Sequence, residues 1–348
     1  MHNPTSFTTF AGKQFLTSMK RIALYFGLLL LAGCRSQEAV INDIDLTITV
    51  ERLDRELYAI VRDSAYQQLQ GLQEKYGTFF DTFNGQIIRI GNSRNALYPE
   101  LLSRFMQHDV VRSAYEKTME VFPDMTVLNE DLTGAFKHVK FYFPSLPAPR
   151  VIACVSGFNT AMMLTDEAVG IGLDRFLGSD YTLYASLGYA RYLQYNMRPE
   201  RIAPECVRTW LLGAYPEPAG QAGTLLAMLL YEGKLLYALE RCFPGQPLER
   251  LTGFTPEQLQ WCVNNEQQMW KYLVEQQLLY NTNFLTMRKF IGDAPFTPDF
   301  TQESPGKAVN FTGYRIVKNY MERTGCSFED LMQQQDALQL LKEARYNP

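Results

Sequence analysis

The stretch LLAMLLYEGKLLYALE, from Leu225 to Glu240, is apolar on nearly every side of the helix that its spacing predicts. A helix of this kind has to be surrounded by other elements, so the chain must build a large core around it. The composition allows this, because 46% of the 348 residues are apolar and 20% are charged. We therefore expect a globular protein and not a disordered or fibrous one.

The centre of this helix carries two charged residues, Glu232 and Lys234, with Gly233 between them. Residues two apart lie about 200° apart around a helix, so the two charges cannot pair on one face. Each needs its own partner or access to solvent, because an unpaired buried charge costs roughly several kcal/mol. Glycine costs about 0.8–1.0 kcal/mol relative to alanine inside a helix, which predicts a close neighbour at Gly233. We expect Glu232 to be tied to a helix end or an arginine, or to form the wall of a cleft, and Lys234 to belong to a separate site.

The N-terminal sequence has the features of a bacterial lipoprotein signal. MKRIALYFGLLLLAGC has a basic start, an apolar run of about ten residues and small residues before Cys34. Such a run is too short for a membrane span, which needs ~20 residues. It predicts a signal peptide over residues 1–33, with Met19 as the true start. The Leu-Ala-Gly-Cys ending resembles a lipobox and predicts lipidation of Cys34, the alternative being a cleaved signal with an incidental cysteine.

Charge and cysteine usage exclude several kinds of partner. Removal of residues 1–33 deletes three basic residues and no acid, which changes the formal net charge from −4 to −7. An acidic chain of this kind is not expected to bind nucleic acid or anionic lipid headgroups. The membrane contact is therefore expected through the lipid on Cys34. The five later cysteines contain no CxxC pair, so a disulfide framework or zinc ribbon is not expected, although one isolated disulfide remains open.

The hydrophobic pattern changes twice along the chain. Residues 34–46 are short and polar and predict a tether between lipid and domain. Helical spacing follows until Pro149, where RVIACVSGF, AMML and AVGIGLDRFLG predict two or three strands near residues 150–175. Helical patterns then return, including a capping box with proline at Thr255-Pro256-Glu257-Gln258. We expect an α+β fold that is predominantly α-helical, with a single α-rich domain over residues 47–348 or, alternatively, a split near Pro149.

One long loop interrupts the C-terminal helices. GDAPFTPDFTQESPGKAVN, residues 292–310, has nineteen residues that include three prolines and two phenylalanines. Long loops inside compact domains are usually functional or disordered. The aromatic residues predict that this loop lies against the body of the protein.

No complete catalytic motif is present. The chain lacks the GxSxG of a serine hydrolase, the phosphate loop of a nucleotide-binding protein and the HExxH of a zinc peptidase, so no cofactor is expected. The order of strands, a helix, and a second helix carrying Glu-Gly is nevertheless that of zincin-type peptidases. If LGYARYLQ were the first of these helices, Leu187 and Arg191 would stand where the histidines should be. A degenerate zincin-like core is one interpretation, and Asp174 is a further candidate for a cleft or ligand-binding residue.

Several segments together resemble one known family. A lipobox is followed by GIGLDRFLGSDY, YEGKLLY, LQWCVNNEQQMWKYL with LLYNT, and APFTPDFTQESPGKAVNFTGYRIVKNYM. In this order they are similar to the gliding-motility lipoprotein family GldB, over Cys34 to Pro348. The resemblance implies a lipoprotein on the periplasmic face of the outer membrane, associated with the gliding apparatus and its linked protein secretion. It implies no catalytic residues.

Two functions are consistent with these features. The first is a non-enzymatic interaction protein, held to the membrane by the lipid on Cys34 and binding envelope proteins but neither nucleic acid nor nucleotides. The alternative is a hydrolase or peptidase-like protein with a zincin-like cleft that uses Glu232 or Asp174.

Overall fold

A computed structural model describes residues 37–217 and 223–348. The described residues divide into a short unit that ends at Asp45 and a large unit over Leu46–Pro348. The short unit contains helix α1, Gln37–Asn42, within the segment expected to be a tether. The predicted signal peptide and Cys34 lie outside the described residues. None of the described helices combines the length and the apolar character needed to span a bilayer.

The large unit is mainly helical and contains a four-stranded mixed sheet, which confirms the predicted α+β class. The strands are β1 (Val50–Arg52), β2 (Arg150–Cys154), β3 (Met162–Leu164) and β4 (Ala168–Gly172). Their order in the sheet is β1-β2-β4-β3; β2 lies parallel to both β1 and β4, and β3 is an antiparallel edge strand. Three of these strands lie in the predicted region, whereas β1 lies where the sequence pattern predicts helix.

The central strands are buried on both faces, which explains their continuous apolar sequence. The two glycines of β4 are needed for close packing. A Cβ on Gly170 would lie 2.8 Å from the Phe79 ring, and one on Gly172 would lie 2.1 Å from the Thr160 carbonyl oxygen. At each of these positions the neighbouring atoms leave no space for a side chain.

Five α-helices of the large unit precede β2 in the sequence. They are α2 (Leu53–Arg62), α3 (Leu69–Thr82), α4 (Tyr98–Gln107), α5 (Asp109–Val121) and α6 (Thr126–Tyr142). Helix α3 is broken at Gly77, whose φ is +50°. The buried apolar residues of these helices belong to one continuous core with the rest of the large unit.

The C-terminal half adds eleven helices among the described residues. They are α7 (Thr182–Ser186), α8 (Arg191–Gln194), α9 (Ile202–Ala214), α10 (Leu225–Cys242), α11 (Leu248–Thr252), α12 (Pro256–Asn264), α13 (Glu266–Glu275), α14 (Phe284–Ile291), α15 (Val309–Thr324), α16 (Phe328–Gln333) and α17 (Ala337–Ala344). The capping box at Thr255 and Gln258 is formed at the start of α12, as predicted. Helix α10 contains the apolar stretch described above and is buried along most of its length.

Helices α10 and α15 touch backbone to backbone at two glycines. A Cβ on Gly233 would lie 2.3 Å from the carbonyl carbon of Gly313, and a Cβ on Gly313 would lie 1.8 Å from the carbonyl oxygen of Leu229. No side chain fits in either position. This crossing is the close neighbour that the sequence predicted for Gly233.

Candidate functional site

The described residues form a cleft of about 450 Å³ beside helices α9 and α10. Apolar residues of α10 and polar residues of α9 meet in it, a mixture that is usual for ligand sites. Its helical walls carry Arg201, Glu205, Arg208, Leu212, Glu232, Leu235, Leu236, Leu239, Asn310 and Phe311. The loop between α14 and α15 forms a further wall.

Helical spacing brings the wall residues to the same side. On α9, Glu205, Arg208 and Leu212 follow one another at intervals of three and four residues, so they share one face. On α10, Glu232 leads the same kind of series, which continues through Leu235, Leu236 and Leu239. Glu232, one of the two charged residues within the apolar sequence of α10, therefore lies at the cleft and not in the core.

The loop over residues 292–308 is a fixed wall of the cleft. The Thr297 hydroxyl donates to the Pro305 carbonyl at 2.8 Å and accepts from the Ala308 N–H at 3.2 Å. Lys307 pairs with Asp293 at 2.7 Å, at the edge of the cleft. The Phe300 ring packs with Trp261, Tyr272 and Phe290. The loop thus lies against the body of the protein, as its aromatic residues predicted.

Glu232 is held by an arginine of the neighbouring helix. Both of its carboxylate oxygens accept hydrogen bonds from Arg208 Nη2, at 2.7 and 2.9 Å. The side chains are 23% and 25% exposed, so the pair lies half-buried on the cleft wall. The structure therefore combines both expectations for Glu232: it is tied to an arginine, and it lines a cleft.

The helix that supplies the partner of Glu232 is α9 and not the stretch LGYARYLQ. That stretch, residues 187–194, begins directly after α7 and contains the whole of α8, and both Leu187 and Arg191 are exposed to solvent. Residues 204–208 of α9 read Pro-Glu-Cys-Val-Arg, which has the spacing of an HExxH motif with proline and arginine in place of the histidines. A search that requires histidine misses this segment, although its glutamate stands at the second position of the motif.

Five side chains that line the cleft each have one buried polar atom without a hydrogen-bond partner in the described protein. These atoms are Arg175 Nε, Asn196 Oδ1, Arg201 Nε, Arg208 Nη1 and Asn310 Oδ1. Buried polar atoms in folded proteins nearly always have a partner, so each exception needs an explanation. The concentration of these atoms in one cleft identifies the cleft as the candidate binding site. No feature of the sequence indicates that these five residues lie together.

Asp174 does not line the cleft. It is fully buried, and its carboxylate accepts hydrogen bonds from the backbone N–H groups of Ser156, at 2.9 Å, and Phe158. Its burial raises the pKa of this carboxyl group, and the two backbone donors oppose the shift. Asp174 thus fixes the segment after β2 to the turn after β4. The next residue, Arg175, is the one that reaches the cleft.

Lys234 lies in a second, smaller pocket of about 160 Å³, which it shares with Glu217 and Tyr231. Its ammonium group is nearly buried and donates to the Gln334 carbonyl oxygen. Glu232 and Lys234 therefore occupy two different sites, on opposite sides of α10.

The sequence of this chain matches a known protein family. The family model described as gliding motility protein GldB matches residues 34–348, nearly the whole chain. The chain belongs to the GldB lipoprotein family. No curated protein and no solved structure matched it. Membership indicates a lipoprotein that is related to gliding motility and associated with the cell envelope.

The described part of this GldB-family chain contains five cysteines and no cluster of metal ligands. Its five cysteines, Cys154, Cys206, Cys242, Cys262 and Cys326, are free thiols. Within residues 37–217 and 223–348, no three His, Cys, Asp or Glu side chains come together in an arrangement that could hold a metal ion.

The Lys234 pocket predicts a specific pH dependence of stability. Burial lowers the pKa of Lys234 to about 8, well below its ordinary value. Between pH ~8 and ~10.4 the unfolded chain therefore binds a proton that the folded protein does not, so stability gains from rising pH in this window. We expect the free energy of unfolding of wild type, relative to Lys234→Met, to rise by about 1.4 kcal/mol per pH unit there.

Urea denaturation of both proteins at several pH values measures this difference. Glu217, Tyr231 and Cys326 also lie near the Lys234 amine. Because they are present in both proteins, most of their own titration cancels in the comparison. Parallel curves for wild type and Lys234→Met between pH 8 and 10 would show that Lys234 keeps an ordinary pKa.

Proposed function

We propose that this GldB-family lipoprotein is a non-enzymatic interaction component of a gliding-motility or linked protein-secretion apparatus. The lipid on Cys34 holds it at the periplasmic face of the outer membrane, and the cleft beside α9 and α10 binds a segment of an envelope protein. One observation carries this proposal: the side chains with unpartnered buried polar atoms are concentrated in that cleft.

The energetic argument concerns these unpartnered atoms. A buried donor or acceptor without a partner costs about 1–3 kcal/mol, and five such groups line the same cleft. Small rotations of these side chains would present them to a bound molecule. The arginines supply donors and the two asparagines supply acceptors, which matches a polypeptide backbone. The leucines of α10 on the same cleft provide an apolar surface for its side chains.

The hydrolase alternative has less support, because its candidate residues are occupied. Both oxygens of Glu232 accept hydrogen bonds from Arg208, and the nearby Glu205 pairs with Arg201. Asp174 is buried and takes no part in the cleft wall. A general base needs a carboxylate that can reach its substrate. Binding of a partner requires no free carboxylate, so the interaction role fits this arrangement better.

The docking proposal can be tested by crosslinking with mass spectrometry in native membranes. Lys307, at the edge of the cleft, is a suitable site for an amine-reactive crosslinker, and Lys271, which is exposed on α13, is the matched control. We expect crosslinks from Lys307 to a second envelope protein that are absent at Lys271. Recovery of the protein alone in repeated experiments would contradict a docking role.

Lipidation at Cys34 gives a further prediction. Cys34→Ala removes the thiol that would carry the lipid, so we expect a protein that is neither lipidated nor processed. Metabolic labelling with a fatty acid measures lipidation, the size of the protein on a gel measures processing, and membrane fractionation measures retention. The control is Cys326→Ala, which changes a half-buried thiol of the domain and is expected to keep normal processing. A Cys34→Ala protein with normal processing and membrane retention would disprove the lipobox interpretation.

A further inference from the structure

Ion pairs neutralise most of the charge in the cleft. Arg201 pairs with Glu205, Arg208 pairs with Glu232 at 2.7 Å, and Lys307 pairs with Asp293 at 2.7 Å. These three pairs include every acidic residue that the described residues contribute to the cleft wall. Among the cations that they contribute, Arg175 is the one without an acidic partner.

Arg175 has no carboxylate partner among the described residues. Its guanidinium lies over the Tyr189 ring, 4.5 Å from the ring centroid, and Nη1 is 3.3 Å from the Phe158 carbonyl oxygen. Its Nε has no hydrogen-bond partner. The carboxylate of the adjacent Asp174 accepts hydrogen bonds from the backbone N–H groups of Ser156 and Phe158 and forms no ion pair with Arg175. The cleft therefore carries one guanidinium group without a direct carboxylate partner, at a defined position.

This arrangement favours the binding of an anion. A cation on a concave wall with apolar neighbours attracts a negative charge more strongly than one on an open surface does. The contacts with Tyr189 and Phe158 restrict the guanidinium before binding, which reduces the entropy lost when it forms a new hydrogen bond. A carboxylate and a phosphate each match the geometry of a guanidinium through two parallel hydrogen bonds.

The charge of the cleft and its other polar and apolar groups favour a carboxylate that is part of a peptide. A single guanidinium, with one positive charge, matches a carboxylate, with one negative charge, better than a phosphate, with nearly two. Asn196 and Asn310 offer acceptors to the N–H groups of a ligand, and Leu236 and Leu239 offer apolar contacts. A peptide that carries a carboxylate has all three kinds of group.

We infer that the cleft binds a peptide segment through a carboxylate, either a C-terminal one or that of an Asp or Glu side chain, and that Arg175 receives this carboxylate. The inference rests on the proposed docking function and specifies its ligand.

The mature lipoprotein in detergent can be tested with three acetylated peptides. One is acetyl-Ala-Leu-Ala with a free C-terminus, the second is the same peptide as the amide, and the third is acetyl-Asp-Leu-Ala amide. Ligand-observed NMR titration yields the Kd of each. We expect at least one carboxylate peptide to bind about tenfold or more tightly than the uncharged amide, as charge-assisted hydrogen bonds allow. The stronger of the two identifies the source of the carboxylate.

Variants of Arg175 test the assignment of the residue. Arg175→Gln removes the charge and is expected to abolish the preference for carboxylate peptides, whereas Arg175→Lys keeps the charge and is expected to retain part of it. Arg191→Gln, which changes an exposed arginine outside the cleft, is the matched control and should leave all affinities unchanged. Circular dichroism of each variant establishes that it is folded.

Three results would overturn the inference. Equal binding of the amide and carboxylate peptides to wild type would exclude carboxylate recognition. So would the failure of all three peptides to bind. A carboxylate preference that survives in folded Arg175→Gln would exclude Arg175 as the receiving residue. Each of these results leaves the docking function itself to the crosslinking experiment, which identifies a partner whatever its chemistry.

Discussion

Replacement of Gly313 by alanine is expected to lower the free energy of unfolding by about 1–3 kcal/mol or more. The added Cβ would lie 1.8 Å from the Leu229 carbonyl oxygen, a backbone atom of α10 that cannot move away without shifting the helix. Gly233→Ala meets the backbone of α15 in the same way, at 2.3 Å, and we expect a loss of similar size. Urea denaturation measures both changes.

A matched control separates the helix crossing from the general effect of alanine. Gly134 is an exposed residue inside α6, and a Cβ there would meet nothing within 4 Å. Gly134→Ala is expected to stabilise the protein by about 0.4–1 kcal/mol, because alanine restricts the unfolded chain and favours a helix. If Gly313→Ala and Gly134→Ala had the same effect, α10 and α15 would not be in backbone contact.

Asp174→Ala is the second substitution for which we expect a large effect, a loss of about 2–5 kcal/mol. The change leaves the buried N–H groups of Ser156 and Phe158 without an acceptor, and the Ser156 hydroxyl loses a partner as well. Each buried donor without a partner costs about 1–3 kcal/mol. The same urea denaturation measures this loss.

The comparison with an exposed acid makes the Asp174 experiment specific. Asp166→Ala removes an exposed carboxylate from the turn between β3 and β4 and is expected to change stability by less than about 0.5 kcal/mol. Asp174→Asn keeps one acceptor oxygen and should lie between wild type and Asp174→Ala. A stable Asp174→Ala protein would show that the segment after β2 is held by other contacts.

Local patterns in the sequence predicted where the helices and strands lie, but not which of them contact one another. The burial of α10 follows from its composition, the start of α12 from a capping box, and the sheet near residues 150–175 from a β-branched run. Each of these signals lies within one short segment. The three-residue strand β1 was missed because it is recognisable only through its pairing with β2, about a hundred residues away.

The same distinction applies to the candidate site. The sequence indicated that Glu232 needs a partner and that Gly233 needs a close neighbour, and both are present. It could not identify Arg208 or Gly313, because no local periodicity encodes which distant segments meet. The unpaired charge of Arg175 was missed for a similar reason: it becomes visible only when every acid around the cleft has been assigned to another cation.

The central claim is that the cleft binds another protein, and site-specific photocrosslinking tests it most directly. Benzoylphenylalanine replaces Tyr192, which lines the cleft, or Tyr280, which is 61% exposed outside it. After irradiation of living cells we expect a discrete crosslinked product with an envelope protein from position 192 and none from position 280. Products from position 280 alone, or from neither position, would contradict the claim that the cleft is the docking site.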